Sequence, residues 1–264
     1  MPDGAIKRIT SRENAQFRQI AKLAGSSRER KAQGATLLDG PHLVAAYHAS
    51  GRVAETLVAA ESALDKPEIH RLFESAGARH RLLIADRLFS DIAQVTTPTG
   101  IAAVIATPPN PPLPERLETC LLLDELQDWG NVGSILRTAV AAGVKQVFLS
   151  PGSVFAWSPK TLRAGQGAHF FLSIHEGVDL VAIAKRHPGR VIATEARAGQ
   201  SLYAADLRGP VAWAFGNEGA GLSAPLAAAA SLRVRIPMPG AAESLNVAAA
   251  AAICLFEQVR QRGG

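Results

Sequence analysis

Three features of the 264-residue chain predict an α/β fold built on a mainly parallel sheet. Short apolar runs recur along it, most of them separated by stretches of helical periodicity, the pattern of strands joined by crossover helices. Some of these runs, Leu121 to Leu123 and Val211 to Phe215, are apolar at every position, as strands covered on both faces are. Five prolines within residues 107–114 make an extended, semi-rigid divider between two parts that each have strands of their own. The predicted organisation is therefore a smaller α/β domain over 1–106, a linker over 107–115 and a larger domain over 116–264.

In the first part, residues 12–24 predict a helix with Phe17, Ile20, Ala21 and Ala24 on one side, and Arg18 and Lys22 four apart on another, with Gly25 as its stop. After the stretch Thr36–Asp39, Pro41 opens a helix that Gly51 ends. A strand over Val53–Ala59, a helix over Lys66–Ala76 and strands over Arg81–Ala85 and Gly100–Ala106 follow. The second part begins with the strand through Leu121–Leu123, then a polar loop through Gly130. A helix from Asn131 to Ala142 comes next, its stripe Val132, Ile135, Leu136, Ala139 and Val140, with Gly143 closing it. Strands over Gln146–Leu149, Phe170–Ile174, Arg190–Thr194, Val211–Phe215 and Leu232–Ile236 complete a six-stranded sheet with helices on both faces.

Composition limits the class. No apolar run approaches the roughly 18 residues of a membrane span, and the first residues have no apolar core of a secretory signal, so the expected location is the cytoplasm. Cys120 and Cys254 sit among Leu and Ile and read as small buried hydrophobes; no disulfide framework is predicted. None of the 7 histidines falls in a metal-ligand cluster, so no metal is expected. The net charge of +5 is concentrated in residues 1–31, where eight basic residues face three acidic ones. Arg12, Arg18, Lys22 and Arg28 are candidate contacts to a nucleic-acid phosphate backbone, against the alternative of a solvated helix face.

Two loops carry the chemistry. The apolar run ending at Phe215 leads into Gly216-Asn217-Glu218-Gly219-Ala220-Gly221, where the glycines suit positive φ and close backbone approach. The run from Arg233 enters a Pro/Gly-rich loop that passes to an alanine-rich helix through Ser244, Leu245 and Asn246. Both loops are expected to face one ligand. A dinucleotide fingerprint at Gly219–Ala224 fails on context, since Asn217 and Glu218 separate it from the strand, and no G-x-S-x-G hydrolase motif is present.

Three blocks, Asn131–Ala139, Gly216–Leu222 and Ile236–Ala248, together resemble motifs 1, 2 and 3 of the SpoU family, RNA ribose 2′-O-methyltransferases of the SPOUT class. The resemblance spans about residues 117–260, and the stretches SRENAQFRQIAKL and LLDGPHLV resemble the substrate-binding domain of ribosomal-RNA members. It implies a trefoil knot, which general topology rules would argue against. It also implies S-adenosylmethionine as methyl donor and a homodimer with sites shared between chains. Gly216, Ile236, Met238 and Leu245 would hold the adenosine part, with Thr194 lining the same pocket. Arg137 would engage the target ribose and its phosphate, while Asn131, Glu218, Ser244 and Asn246 would order the loops and reacting groups.

A ribose hydroxyl is a poor nucleophile at neutral pH, so methyl transfer needs help with its proton and in-line placement. A guanidinium with a pKa above about 12 is a poor base. Arg137, with small residues Gly133 and Ala141 one turn away on either side, is expected to stabilise a developing alkoxide; base action through water or a phosphate stays open. Glu218 either offsets a sulfonium charge or anchors its loop, and Asn246 either orders the reacting groups or is only a helix cap. The chain departs from the family in having Trp129 in place of the usual proline, two residues before Asn131 in Asp128-Trp129-Gly130-Asn131, and Trp129 is expected to fill a gap under the loop or to stack on a base. Ribosomal RNA is the expected substrate; transfer RNA and a non-catalytic RNA-binding role are the alternatives.

Overall fold

The computed structural model describes residues 6–196 and 200–263; Asp3, counted above in the basic segment, lies outside them. The chain forms two compact units, one of residues 1–109 with 157–170, the other of 110–156 with 171–264.

The first unit contains β1 (Lys7–Ile9), α1 (Ala15–Gly25), α2 (Ser27–Gln33), β2 (Ala35–Asp39), α3 (Pro41–Ala49), β3 (Ala54–Ala60), α4 (Pro67–Ser75), β4 (Ala78–Ile84), α5 (Asp86–Ile92) and β5 (Ile101–Ala106). Its sheet has the order β1-β4-β3-β5-β2. Strands β1, β4 and β3 run parallel, and β5 lies antiparallel to both β3 and β2. Asn14 caps α1 by accepting from the amides of Gln16 and Phe17. That helix buries Phe17, Ile20, Leu23 and Ala24, so Leu23 belongs to the buried face and the expected Ala21 is only half-buried.

The second unit opens with β6 (Cys120–Leu123), α6 (Trp129–Ala141) and β7 (Gln146–Leu149). The chain then forms α7 (Pro159–Gly165), which packs on β2 within the first unit. It resumes with β8 (Ser173–His175), α8 (Leu180–Arg186), β9 (Arg190–Thr194), β10 (Gln200–Ser201), β11 (Val211–Phe215), α9 (Ala224–Ala229), β12 (Leu232–Arg235) and α10 (Val247–Gln261). These strands form a parallel seven-stranded sheet ordered β10-β12-β9-β11-β6-β7-β8. The strand expected at Phe170–Ile174 is shifted: Ala168–Phe171 coil into a 3-10 turn and pairing begins at Ser173.

Every residue of β6 and β11 is buried, as their unbroken apolar runs require. Cys120, Leu122, Ala212 and Ala214 share one face of the sheet with Leu180 and Ile183 of α8 and Leu226 of α9. Trp213 points the opposite way, and its indole N–H donates to Gln258 Oε1 of α10 at 2.8 Å. Gln258 Nε2 in turn donates to the carbonyls of Leu207 and Gly209, so a fully buried polar side chain has its partners. Cys120 and Cys254 are unpaired and buried, and burial pushes both thiols up to about 12. Among the described residues no helix is long and apolar enough to cross a membrane, and no group of three or more His, Cys, Asp or Glu residues could hold a metal.

Candidate active site

Parallel strands deliver their loops to one end of a sheet, and in open α/β folds that carboxyl end is where ligands sit. In the second unit the ends of β9, β11 and β12, with the segment entering α10, enclose a cavity of about 530 Å³, within the range of small-molecule sites. Its lining includes Thr194, Gly216, Glu218, Ile236, Met238, Ser244, Leu245 and Asn246. Eight residues chosen from three separate stretches of sequence thus border one space.

Asn131 stands beside that group and ties it together. Its side-chain amide donates to Glu218 Oε1 at 2.8 Å, while its Oδ1 accepts from Asn246 Nδ2 at 2.9 Å. Asn246 Oδ1 accepts from the amides of Ala248 and Ala249, so the same residue caps α10 and reaches α6. The Glu218 carboxylate also accepts from the backbone amides of Gln127 and Asp128, just ahead of α6. Burial alone pushes the Glu218 carboxyl up, but the hydrogen bonds from Asn131, its own amide, Gln127 and Asp128 outweigh that and hold it below the usual range. Of the two roles open to Glu218, anchoring the loop is the one these contacts support.

The glycines divide by function. Gly221 takes φ +73°, and its amide and carbonyl pair with Asn217 across the tip of the loop. Gly216 has no positive φ; a Cβ there would lie 2.2 Å from the Gly221 carbonyl carbon and 2.3 Å from the Leu222 nitrogen. It is required by the loop folding back on itself. Gly219 shows neither constraint, since a Cβ would approach only Asn217 Oδ1, at 3.6 Å.

Arg137 is exposed and is not part of the cavity lining of its own chain. Six residues beyond Asn131, it lies on another side of α6. Trp129 stands at the first turn of α6, 40% exposed. Glu195 and Asn217, neither singled out in the sequence, also line the cavity. Asn217 Oδ1 accepts from the amides of Gly219 and Ala220, a turn its position between glycines could have suggested.

On the first unit, the four candidate RNA contacts differ. Arg12 forms a bidentate pair with Asp91, at 2.8 and 2.9 Å, and Arg18 pairs with Glu13. Lys22 and Arg28 are exposed, and among the described residues neither forms an ion pair. Arg30 turns inward, donating to the Leu23 and Ala24 carbonyls at the end of α1.

Known proteins agree with this arrangement. The profile of the SpoU rRNA Methylase family matches residues 118–256, and that of the MRM3-like substrate binding domain matches residues 14–103. The 23S rRNA (guanosine(2553)-2′-O)-methyltransferase RlmP of Bacillus subtilis is 35% identical over 95% of this chain and 98% of its own. An uncharacterised tRNA/rRNA methyltransferase of Synechocystis is 33% identical over 97% of this chain and 95% of its own. The crystal structure of the SpoU methyltransferase AviRb from Streptomyces viridochromogenes, in complex with the cofactor AdoMet, superposes with a TM-score of 0.84 at 27% identity. It covers 95% of this chain and 98% of that one. With its second and third motif loops lining one cavity and the family profile matched over residues 118–256, the chain belongs to the SpoU rRNA methylase family.

Proposed function

We propose that this protein transfers a methyl group from S-adenosylmethionine to a ribose 2′-hydroxyl of ribosomal RNA, in the cytoplasm and as a homodimer. The observation that carries the reading is the Glu218–Asn131–Asn246 chain of hydrogen bonds, which joins the three motif loops around the cavity. The lining suits the methyl donor: Leu222, Val234, Ile236, Met238 and Leu245 offer apolar surface for an adenine, and Gly216 keeps the backbone close behind it. When bound, the donor supplies an electrophilic methyl carbon on a sulfonium. Gly216, Ile236, Met238 and Leu245, with Thr194 beside them, hold its nucleoside end; Asn131, Glu218 and Asn246 keep the loops in place, and Ser244 borders the reacting groups.

Arg137 carries the developing negative charge of the ribose oxygen. Because it stands outside its own chain's cavity, it serves the cavity of the partner subunit, and this is why the reading includes a homodimer. The relatives named for ribosomal RNA and the match to a substrate-binding domain favour ribosomal over transfer RNA. The placement of the segment from Ile236 to Asn246 against α6 and the Glu218 loop supports a knotted passage of the chain there.

The test is labelled methyl transfer to ribosomal RNA from a strain lacking the gene, with the product mapped by its resistance to alkaline cleavage. Arg137→Ala and Asn246→Ala should each abolish transfer. Mixed as subunits they should regain part of it, because one of the two sites in a mixed dimer is intact. Methylation of transfer RNA alone would overturn the substrate, and cofactor binding without transfer to any RNA would overturn the activity.

A further inference from the structure

The geometry points to Glu195 as the residue that recognises the ribose diol of the nucleoside in the cavity, an inference that rests on the methyl-donor reading above. Two carboxylates line the cavity, Glu195 and Glu218. Glu218 is occupied by four hydrogen-bond donors from the loops it anchors. Three of the other polar side chains there are also engaged, and Ser244 brings only a single hydroxyl: the Thr194 hydroxyl donates to the Ala214 carbonyl at 3.2 Å, Asn217 is tied to Gly219, Ala220 and the Glu125 carbonyl, and Asn246 caps α10.

Glu195 differs. It is the first residue beyond β9, its amide donates to the Val234 carbonyl at 3.0 Å, and its backbone therefore belongs to the sheet. Its side chain is 33% exposed and its ion pair with Arg233 is open, at 3.5 Å. A carboxylate has about four acceptor positions, so one guanidinium contact leaves room for two hydroxyl donors. An acid just past a strand end, accepting from ribose hydroxyls, is also the solution that dinucleotide folds reach by another topology. Arg233, whose Nη2 donates to the Ala227 carbonyl at 3.1 Å, limits the swing of the carboxylate.

Calorimetric and competition titrations of the wild type, Glu195→Ala and Glu195→Gln with S-adenosylmethionine, S-adenosylhomocysteine, adenosine and its 2′- and 3′-deoxy forms test this. Glu195→Ala should weaken both S-adenosylmethionine and S-adenosylhomocysteine alike, by about tenfold or more, the range of a hydrogen bond to a charged group. Glu195→Gln, which keeps an acceptor, should lose less. Removal of a ribose hydroxyl should cost the wild type affinity and cost Glu195→Ala nothing further. Loss confined to S-adenosylmethionine would place the carboxylate at the sulfonium and overturn the assignment, as would a deoxy penalty that persists in Glu195→Ala. A wild-type protein that binds neither methylated nor demethylated cofactor would instead sink the methyl-donor reading itself.

Discussion

At Gly216 a single hydrogen decides whether the second motif loop can close. Gly216→Ala would drive a methyl group into the Gly221 and Leu222 backbone, which has no rotamer with which to escape. Cofactor binding should fall at least tenfold in calorimetry, while Gly219→Ala, which meets no backbone, should bind close to normally. Glu218 gives a second residue-level expectation, with a sign. Its folded pKa lies below the ordinary carboxyl value, so its stabilisation is complete above the unfolded pKa and disappears as pH falls through the folded one. Thermal melts should therefore show Glu218→Gln less stable than wild type near neutral pH, with the gap narrowing under acid; a gap independent of pH would show that the charge is not what anchors the loop. These roles were only half visible in the sequence. The family resemblance marks Glu218, Asn131 and Asn246 as residues that order the loops, but that they bond one another in series depends on which loop ends the sheet order brings together.

Among the elements, α10 is fastened to the sheet by a side chain that reads as ordinary. Gln258 answers the Trp213 indole and two carbonyls from the 207–209 loop, all within the second unit. Gln258→Leu keeps the volume but leaves the Trp213 indole and the Leu207 carbonyl without that partner, while the Gly209 carbonyl keeps Arg262, and it should cost about 2–4 kcal/mol in denaturant unfolding; a loss near zero would mean the site relaxes or admits water. Strands announced themselves well where burial on both faces makes them continuously apolar, as in β6 and β11. Short edge pieces did not: β1 has three residues and β10 two, and each is a strand only because a neighbour supplies its hydrogen bonds. Helix α2, SRERKAQ, buries nothing and so has no stripe to detect, although Ser26 caps it and Gly34 ends it. The fate of α7 was likewise hidden, since local pattern does not say which sheet a helix joins.

For the whole molecule, charge placement narrows the expected RNA contact. Arg12 and Arg18 are matched by acids, so Lys22 and Arg28 carry more of the uncompensated charge of this segment. Lys22→Gln with Arg28→Gln should weaken RNA binding and reduce the slope of log affinity against log salt by about 1.8 if both meet phosphate on duplex RNA. Cofactor affinity should stay unchanged; an unaltered slope would assign both charges to solvation.

The two buried thiols, one on the central strand β6 and one on the C-terminal helix α10, also make the second unit self-reporting. A thiol held near 12 and shut away from water reacts with an alkylating reagent only when its surroundings open. Alkylation rates at Cys254 and Cys120, separated by mass spectrometry, therefore read the opening of the terminal helix and of the sheet in the unmodified protein. Equal rates would mean that the helix never leaves before the sheet breaks.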